Sequence, residues 1–344
     1  MDELRKIQKV GYSTLSVSIP SEFVKELNLQ PGDNLLVRQE ADGTLRLIPM
    51  TSVKRVSKAT IKADQIDNEE LLSRLIIGCY MLGYDTIEVV GKNGLDESVV
   101  THAISTIRRL RGLEVVESGG NRIIAQSFMD PTKFPVDSLI KRLQILVSRS
   151  LGNVIDAIQK GTTGRLNEVR RIQDEVDELY WLIVRQLLVA LSRREIAGEI
   201  GIESPLHASG DRVTAKTLEE IGGIILDLAE EVVRLKGKGG RIDRRVVAEI
   251  EKLARKAQES FNTTVESLLT PDIRLIDRAI GLVNETLEME KKITHELLES
   301  GEHAYSRIIV SHFGQLARYC NIIIEIASHR LLRKTSRVAV VQYQ

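Results

Sequence analysis

The sequence predicts a multidomain, mainly helical protein, and three observations support this fold class. The chain has 344 residues, which is long for a single hydrophobic core, so we expect two or three domains. Residues 164–192 carry apolar side chains at steps of three and four, the pattern of one long amphipathic helix that must pack against partner helices. Near the N-terminus, Leu15, Val17 and Ile19 alternate with serines, the period of a half-buried strand.

Composition narrows the classes of function. The 48 basic and 48 acidic residues balance, which argues against a chain that binds polyanions over its whole surface but allows a local basic patch. Cys79 and Cys320 have no spacing typical of a disulfide framework or a zinc site. We find no apolar run of about 18 residues and no signal-peptide core. A cytoplasmic protein without membrane insertion is therefore expected.

Residues 1–50 are predicted to form a small β-rich unit. After the first strands, Ser21 can cap a short helix over residues 21–29, and a second hairpin turns at residues 41–44. Four short strands enclose little core in so few residues. We therefore expect this unit to dimerise.

This layout resembles the swapped-hairpin DNA-binding domain of the AbrB/SpoVT family. The resemblance rests on the start RKIQKVG, the strand ending at Ile19-Pro20, Leu27 and Leu29, the turn Pro31-Gly32-Asp33, and the hairpin ending at Pro49. It implies that two chains interleave their hairpins and that basic residues contact the DNA backbone; Arg5, Lys6 and Lys9 occupy the matching positions. Alternatively these cations only keep an N-terminal arm in solution, as most charged clusters do. Related domains also serve purely as dimerisation or antitoxin modules.

Residues 51–131 are predicted to form a small α/β domain. Strands near residues 58–61, 86–90, 115 and 123–128 alternate with helices over residues 69–82 and 96–111. A ferredoxin-like arrangement is one candidate for this pattern. The glycines of this segment form no dinucleotide-binding or P-loop motif.

The remainder is predicted to be a pair of three-helix bundles. Residues 132–235 contain helices at 136–159, 164–192 and 213–235, a Gly-rich joint follows at 236–241, and residues 242–334 contain helices at 246–268, 273–300 and 305–332. Residues 335–344 form a tail. Equivalent halves of this kind indicate an internal repeat.

The segments IQDEVDELYWLIVRQLL, LEEIGGIILDLAE and LARYCNIIIEIA resemble the signature helices of the PhoU family, which regulates phosphate uptake. The resemblance implies acidic residues four apart in each half that hold metal ions. In this sequence the first-half pairs become Gln173 with Asp177 and Glu219 with Gly223. The loss of acids argues against metal, although a divalent or iron cation held by Asp177, Glu219 and Asp174 remains the alternative to ordinary polar residues.

In the second half the pattern is weaker still. The sixth helix offers Gly314 and Arg318 where acids are expected, and the fifth offers Asn284 and Glu288. Arg318 would repel a cation.

No catalytic arrangement is evident, so we do not expect an enzyme. The six histidines have no metal-ligand spacing, and His312, Tyr319 and Trp181 are expected in the core or at an interface. The favoured interpretation is a homodimeric or larger DNA-binding regulator of phosphate uptake whose bundle receives the signal. The alternative is an adaptor without a DNA role, which docks on a phosphate transporter or a signalling kinase while its first domain only dimerises the chain.

Overall fold

Residues 3–39, 43–50, 57–160, 164–237, 244–299 and 304–333 are described by the structure, a computed structural model of the chain. The chain divides into two compact units, Met1–Ser57 and Lys58–Gln344, called here the N-terminal unit and the main unit. Parts of the predicted turn at 41–44 and of the joint at 236–241 lie outside the described residues, as does the whole tail 335–344.

The N-terminal unit consists of two hairpins around a short helix. These elements are β1 (Gln8–Val10), β2 (Thr14–Ser16), α1 (Ser21–Glu26), β3 (Leu35–Gln39) and β4 (Leu45–Pro49). Among the described residues, β1 pairs only with β2 and β3 only with β4, both antiparallel. The capping role predicted for Ser21 is wrong, since Ser21 is the first helical residue and Pro20 holds the cap position without a side-chain bond. The helix is shorter than expected because Asn28 adopts a left-handed φ of 50°.

Much of the apolar surface of this unit is exposed. Val10, Leu15, Val37 and Leu45 each keep more than half of their surface open, whereas Leu29 is buried. Several large apolar side chains left exposed in so small a unit favour an interaction surface.

The main unit begins with a four-stranded sheet and two helices. They are β5 (Lys58–Lys62), α2 (Glu69–Met81), β6 (Thr86–Val90), α3 (Glu97–Arg108), β7 (Leu113–Gly119) and β8 (Arg122–Ser127). The strand order is β5-β6-β8-β7, with β5 parallel to β6 and β8 antiparallel to both of its neighbours. The α/β class is as predicted. The ferredoxin-like candidate is wrong, because that fold orders its elements βαββαβ and this chain orders them βαβαββ.

Two three-helix halves follow. The first half contains α4 (Val136–Lys160), α5 (Leu166–Ser192), the short α6 (Arg194–Ala197) and α7 (Pro205–Gly237); the second contains α8 (Arg244–Leu269), α9 (Ile273–Glu299) and α10 (Ala304–Leu332). One hydrophobic core runs through both halves, because α4 packs on α8 and α7 packs on α10. The mainly helical fold class is therefore confirmed. None of the helices in the described part of the chain combines the length and hydropathy that crossing a membrane requires.

Helix α7 begins eight residues earlier than the apolar pattern predicts. Pro205 occupies the first helical position, where a missing N–H costs nothing. The Ser204 hydroxyl accepts a hydrogen bond from the His207 amide at 3.1 Å, which caps the helix. The polar extension to residue 212 therefore belongs to the helix.

The α/β elements and the bundle form one unit, although the sequence suggested separate domains. Helix α2 packs on α5. Arg185 of α5, which is 6% exposed, donates to the carbonyl oxygens of Tyr80 at 2.7 Å and Tyr84 at 3.0 Å. Trp181 packs against both hydrophobic cores.

Candidate functional site

The structure brings the predicted metal ligands of α5 and α7 together. Asp177 and Glu219 lie close enough for the charge of Glu219 to raise the pKa of Asp177. Asp174 lies almost one turn before Asp177, with 60% of its side chain exposed. We call Asp174, Asp177 and Glu219 the first-half cluster.

Lys216 of α7 places an ammonium group in this cluster. Its Nζ lies 2.5 Å from Glu219 Oε2 and 2.7 Å from Glu220 Oε1, and it approaches the ring of Tyr180 at 5.5 Å. Burial alone lowers the pKa of Lys216, but the bonds to the two carboxylates outweigh it and raise that pKa. The ammonium group therefore stays charged and holds both glutamates.

Arg109 supplies a second cation, from the residue that follows the last turn of α3. Its Nη2 donates to Asp174 Oδ1 at 3.2 Å and lies 3.6 Å from Asp177 Oδ2. The guanidinium also stacks 5.0 Å from the centre of the Trp181 ring. The α/β elements thus deliver a positive charge to the acidic row of α5.

Asp177 is the most perturbed acid of the cluster. Burial, and then the charge of Glu219, raise its pKa to about 6, although the Gln173 amide and Arg109 act in the opposite direction. Gln173 Nε2 donates to Asp177 Oδ1 at 2.9 Å. The amide of Gln173 lies against Gly222, where a Cβ would be 2.3 Å from Gln173 Oε1 and would shift the end of that side chain.

The carboxylates of the first-half cluster do not suit a metal ion. A divalent cation binds several oxygens that are free to face it. Here Asp177, Glu219 and Asp174 already accept from Gln173, Lys216 and Arg109, and the two cations would repel a third positive charge. The protein's own cations, Lys216 and Arg109, thus bond to the acids of the first-half cluster and offset part of their negative charge.

The second half also has an acid bonded to a cation of the protein, but the residues are different. Glu290 of α9 is only 9% exposed, and its carboxylate lies 3.4 Å from Arg318 Nη2. Gly314 makes room for it, since a Cβ there would lie 2.8 Å from Glu290 Cγ. The sequence pattern placed Asn284 and Glu288 at the acid positions of this helix, but both are exposed, and the acid bonded to α10 is Glu290.

A separate group of ionisable residues joins the two halves. His207 and Asp211 on α7 lie with Asp137 at the start of α4, in a group whose ligand atoms fall within 4.8 Å of one another. Arg330, near the end of α10, donates to Asp211 Oδ1 at 2.5 Å and to Asp137 Oδ1 at 3.0 Å. Burial raises the pKa of Asp211 to about 6, although Arg330 opposes this.

This group does not suit a metal either. The Nδ1 atom of His207 accepts from the Glu203 amide at 3.3 Å, so the neutral ring carries its proton on Nε2, which faces Asp211 Oδ2 at 3.4 Å. Burial lowers the pKa of His207 to about 4, which keeps the ring neutral. A metal-binding histidine instead donates from its second nitrogen. Sequence reasoning missed this group because Asp211 and Arg330 are 119 residues apart.

The predicted DNA contacts lie at the start of the N-terminal unit. Arg5 forms an ion pair with Glu3. Lys6 and Lys9 are exposed, and neither has an ion-pair partner among the described residues. Lys9 lies on β1, opposite Leu15 on β2.

Two further cations in this unit were missed. Arg38 on β3 is paired directly with Arg46 on β4, so both side chains lie on one face of the hairpin. Neither has an ion-pair partner in the described part of the chain. Like charges directly opposite each other destabilise a hairpin, which favours an anionic partner for this face. The sequence alone could have placed the two arginines opposite each other only if the register of the hairpin had been known.

Comparison with known families agrees with this architecture. A family model of the PhoU domain matches residues 140–232, which span the first half. A model of antidote-toxin recognition MazE, bacterial antitoxin, matches residues 8–55, which include Lys9 but not Arg5 or Lys6. A search of curated proteins gave no match. The two matched segments support the architecture that the resemblances implied, in which a PhoU-like first half follows an AbrB-like N-terminal unit.

Proposed function

We propose that the protein is a homodimeric DNA-binding regulator of phosphate uptake. The observation that carries the proposal is the presence of both matched segments in one chain, a MazE-like unit and a PhoU domain. In this proposal the N-terminal unit binds DNA and the bundle receives the signal. The protein has no catalytic role.

The surface of the N-terminal unit supports dimerisation and contact with phosphates. Its exposed apolar residues, such as Leu15 and Leu45, would be buried against a second copy. A dimer would present Lys6, Lys9 and the arginine pair of the second hairpin twice. Cations without acidic partners are free to bind backbone phosphates.

The bundle would receive its signal without a metal ion. Lys216 and Arg109 bond to the acids of the first-half cluster, and Arg318 pairs with Glu290. A signal that favours one conformation of the chain must bind that conformation more tightly. Contact with a phosphate transporter or a signalling protein would serve this purpose.

Fluorescence anisotropy with duplexes from promoters of phosphate-transport genes tests the DNA role. We expect the full chain to bind with an affinity that falls as salt rises. Lys6→Ala with Lys9→Ala should reduce the slope of log affinity against log salt by about one for each phosphate contact removed. Lys292→Ala, an exposed lysine of α9, is the matched control and should leave the slope unchanged.

Two results would contradict the DNA role. One is the absence of salt-sensitive binding by the full chain, and the other is an unchanged slope in the double variant. If a phosphate transporter or a kinase is instead retained by protein that lacks residues 1–50, the adaptor interpretation is favoured.

A further inference from the structure

The second half contains a polar groove between α9 and α10, beside the ion pair of Glu290 with Arg318. Its volume is about 640 Å³. The polar side chains that line it are Glu290 and Thr294 from α9 and Arg307, Ser311, His312 and Gln315 from α10. We call it the second-half groove.

The charge of the groove is positive. Glu290, its one acid among the described lining residues, already faces Arg318 at 3.4 Å, so that pair is neutral. Arg307 is half-buried and has no carboxylate partner in the described part of the chain. A guanidinium without an acid in such a position attracts an anion.

Three polar atoms of the groove are buried and lack a hydrogen-bond partner. They are Thr294 Oγ1, Arg307 Nε and His312 Nδ1. Buried polar atoms in native proteins are almost always bonded, so three on one groove point to a missing acceptor. Each can donate: the hydroxyl, the guanidinium N–H, and the ring nitrogen in the tautomer that carries its proton there.

We propose that the second-half groove binds a small tetrahedral oxyanion of the phosphate or sulfate type. Arg307 would supply the charge and the directed donors, while Thr294 and His312 donate to other oxygens. The donors come from two helices on opposite walls, which suits four oxygens spread in space better than the two oxygens of a planar carboxylate.

The first half differs from the second in how its cations are bonded. On the face between α5 and α7, Lys216 and Arg109 are both bonded to carboxylates. At the second-half groove Arg318 is bonded to Glu290, but Arg307 has no carboxylate partner among the described residues. The oxyanion would therefore bind once per chain. This inference goes beyond the proposed function, and its test contains no DNA.

Isothermal titration calorimetry of the full chain at low ionic strength tests the proposal, with inorganic phosphate, sulfate and acetate as separate titrants. We expect saturable binding of phosphate or sulfate at one site per chain, and at least about tenfold weaker binding of acetate. Arg307→Gln should weaken binding by at least about tenfold. Lys292→Gln, an exposed lysine of α9 that does not line the groove, should bind as the wild type does.

A second variant keeps the test independent of folding. Thr294→Val preserves the shape of the side chain and removes the hydroxyl, and it should weaken binding by several-fold while leaving the melting temperature close to that of the wild type. The proposal is overturned by the absence of saturable binding of both tetrahedral anions, by equal binding of acetate, or by wild-type affinity in Arg307→Gln.

Discussion

The two halves of the bundle have the same three-helix plan but satisfy their inner acids differently. In the first half, Asp177 and Glu219 are held by a lysine of their own helix pair and by Arg109 from the α/β elements. In the second half, Glu290 is held by Arg318 of the next helix, and the surrounding groove stays open. The same three-helix plan can thus hold its inner acids with cations from two elements, as in the first half, or with one arginine beside an open groove, as in the second.

The largest effect is expected where the halves are joined. Arg330→Met would leave Asp211, which is fully buried, without its cation, and should lower the unfolding free energy by about 3–5 kcal/mol. The matched control is Arg278→Met, which breaks an exposed pair with Glu259 and should cost at most about 1 kcal/mol. Urea denaturation of each variant measures the difference. Equal losses in the two variants would show that the halves are not held together by this group.

A smaller effect on stability is expected when a helix glycine of either half is replaced by alanine. Gly314→Ala pushes a methyl group against buried Glu290, an overpacking cost of about 1–3 kcal/mol that exceeds the gain in helix propensity of about 1 kcal/mol. Gly222→Ala meets mainly the flexible end of Gln173 and should be close to neutral. Gly223→Ala, with open space around it, should stabilise by up to about 1 kcal/mol.

Thermal unfolding of the three glycine variants tests this order. A stable Gly314→Ala protein would mean that Glu290 is not held between the helices as described, and the contrast between the halves would be lost.

The smallest effect concerns the proton on Asp177. Its pKa of about 6 in the folded chain lies above the value in the unfolded chain, so its contribution to stability is present in acid and is lost as the pH rises through 6. Glu219→Gln removes the nearby negative charge and should lower the pKa of Asp177. Glu220→Gln, which removes the other partner of Lys216, should change it less.

Carboxyl ¹³C NMR titration, assigned with Asp177→Asn, measures this pKa directly. Equal midpoints in the wild type and in Glu219→Gln would show that the two acids do not interact.

The helical parts of the fold were predictable because burial leaves a periodic trace. The stripe from Leu166 to Leu187 placed α5 within two residues of its observed start and at its observed end. The start of α7 was missed because residues 205–212 are largely polar, and capping by Ser204 rather than an apolar stripe defines it. Strand order in the sheet was also beyond reach, since apolar runs do not reveal their neighbours.

The candidate site was predictable only in its acids. The PhoU resemblance implied that Asp177 and Glu219 belong to one site, and the structure brings them together. The cations bonded to these acids could not be identified from the sequence, because Arg109, for example, lies 65 residues before its partner Asp174 and on a different element. In α9 the sequence pattern pointed to Glu288, which is exposed, whereas the buried acid is Glu290. Long-range pairs of this kind need the tertiary structure.

The central claim is that cations of the protein occupy the places where a PhoU-like bundle would hold metal ions. Elemental analysis by mass spectrometry, on full chain incubated with manganese, iron and zinc salts and then dialysed, tests this most directly. We predict far less than one equivalent of any metal per chain, with no change in Asp177→Ala. A stoichiometric metal that is lost in Asp177→Ala or Glu219→Ala would contradict the account.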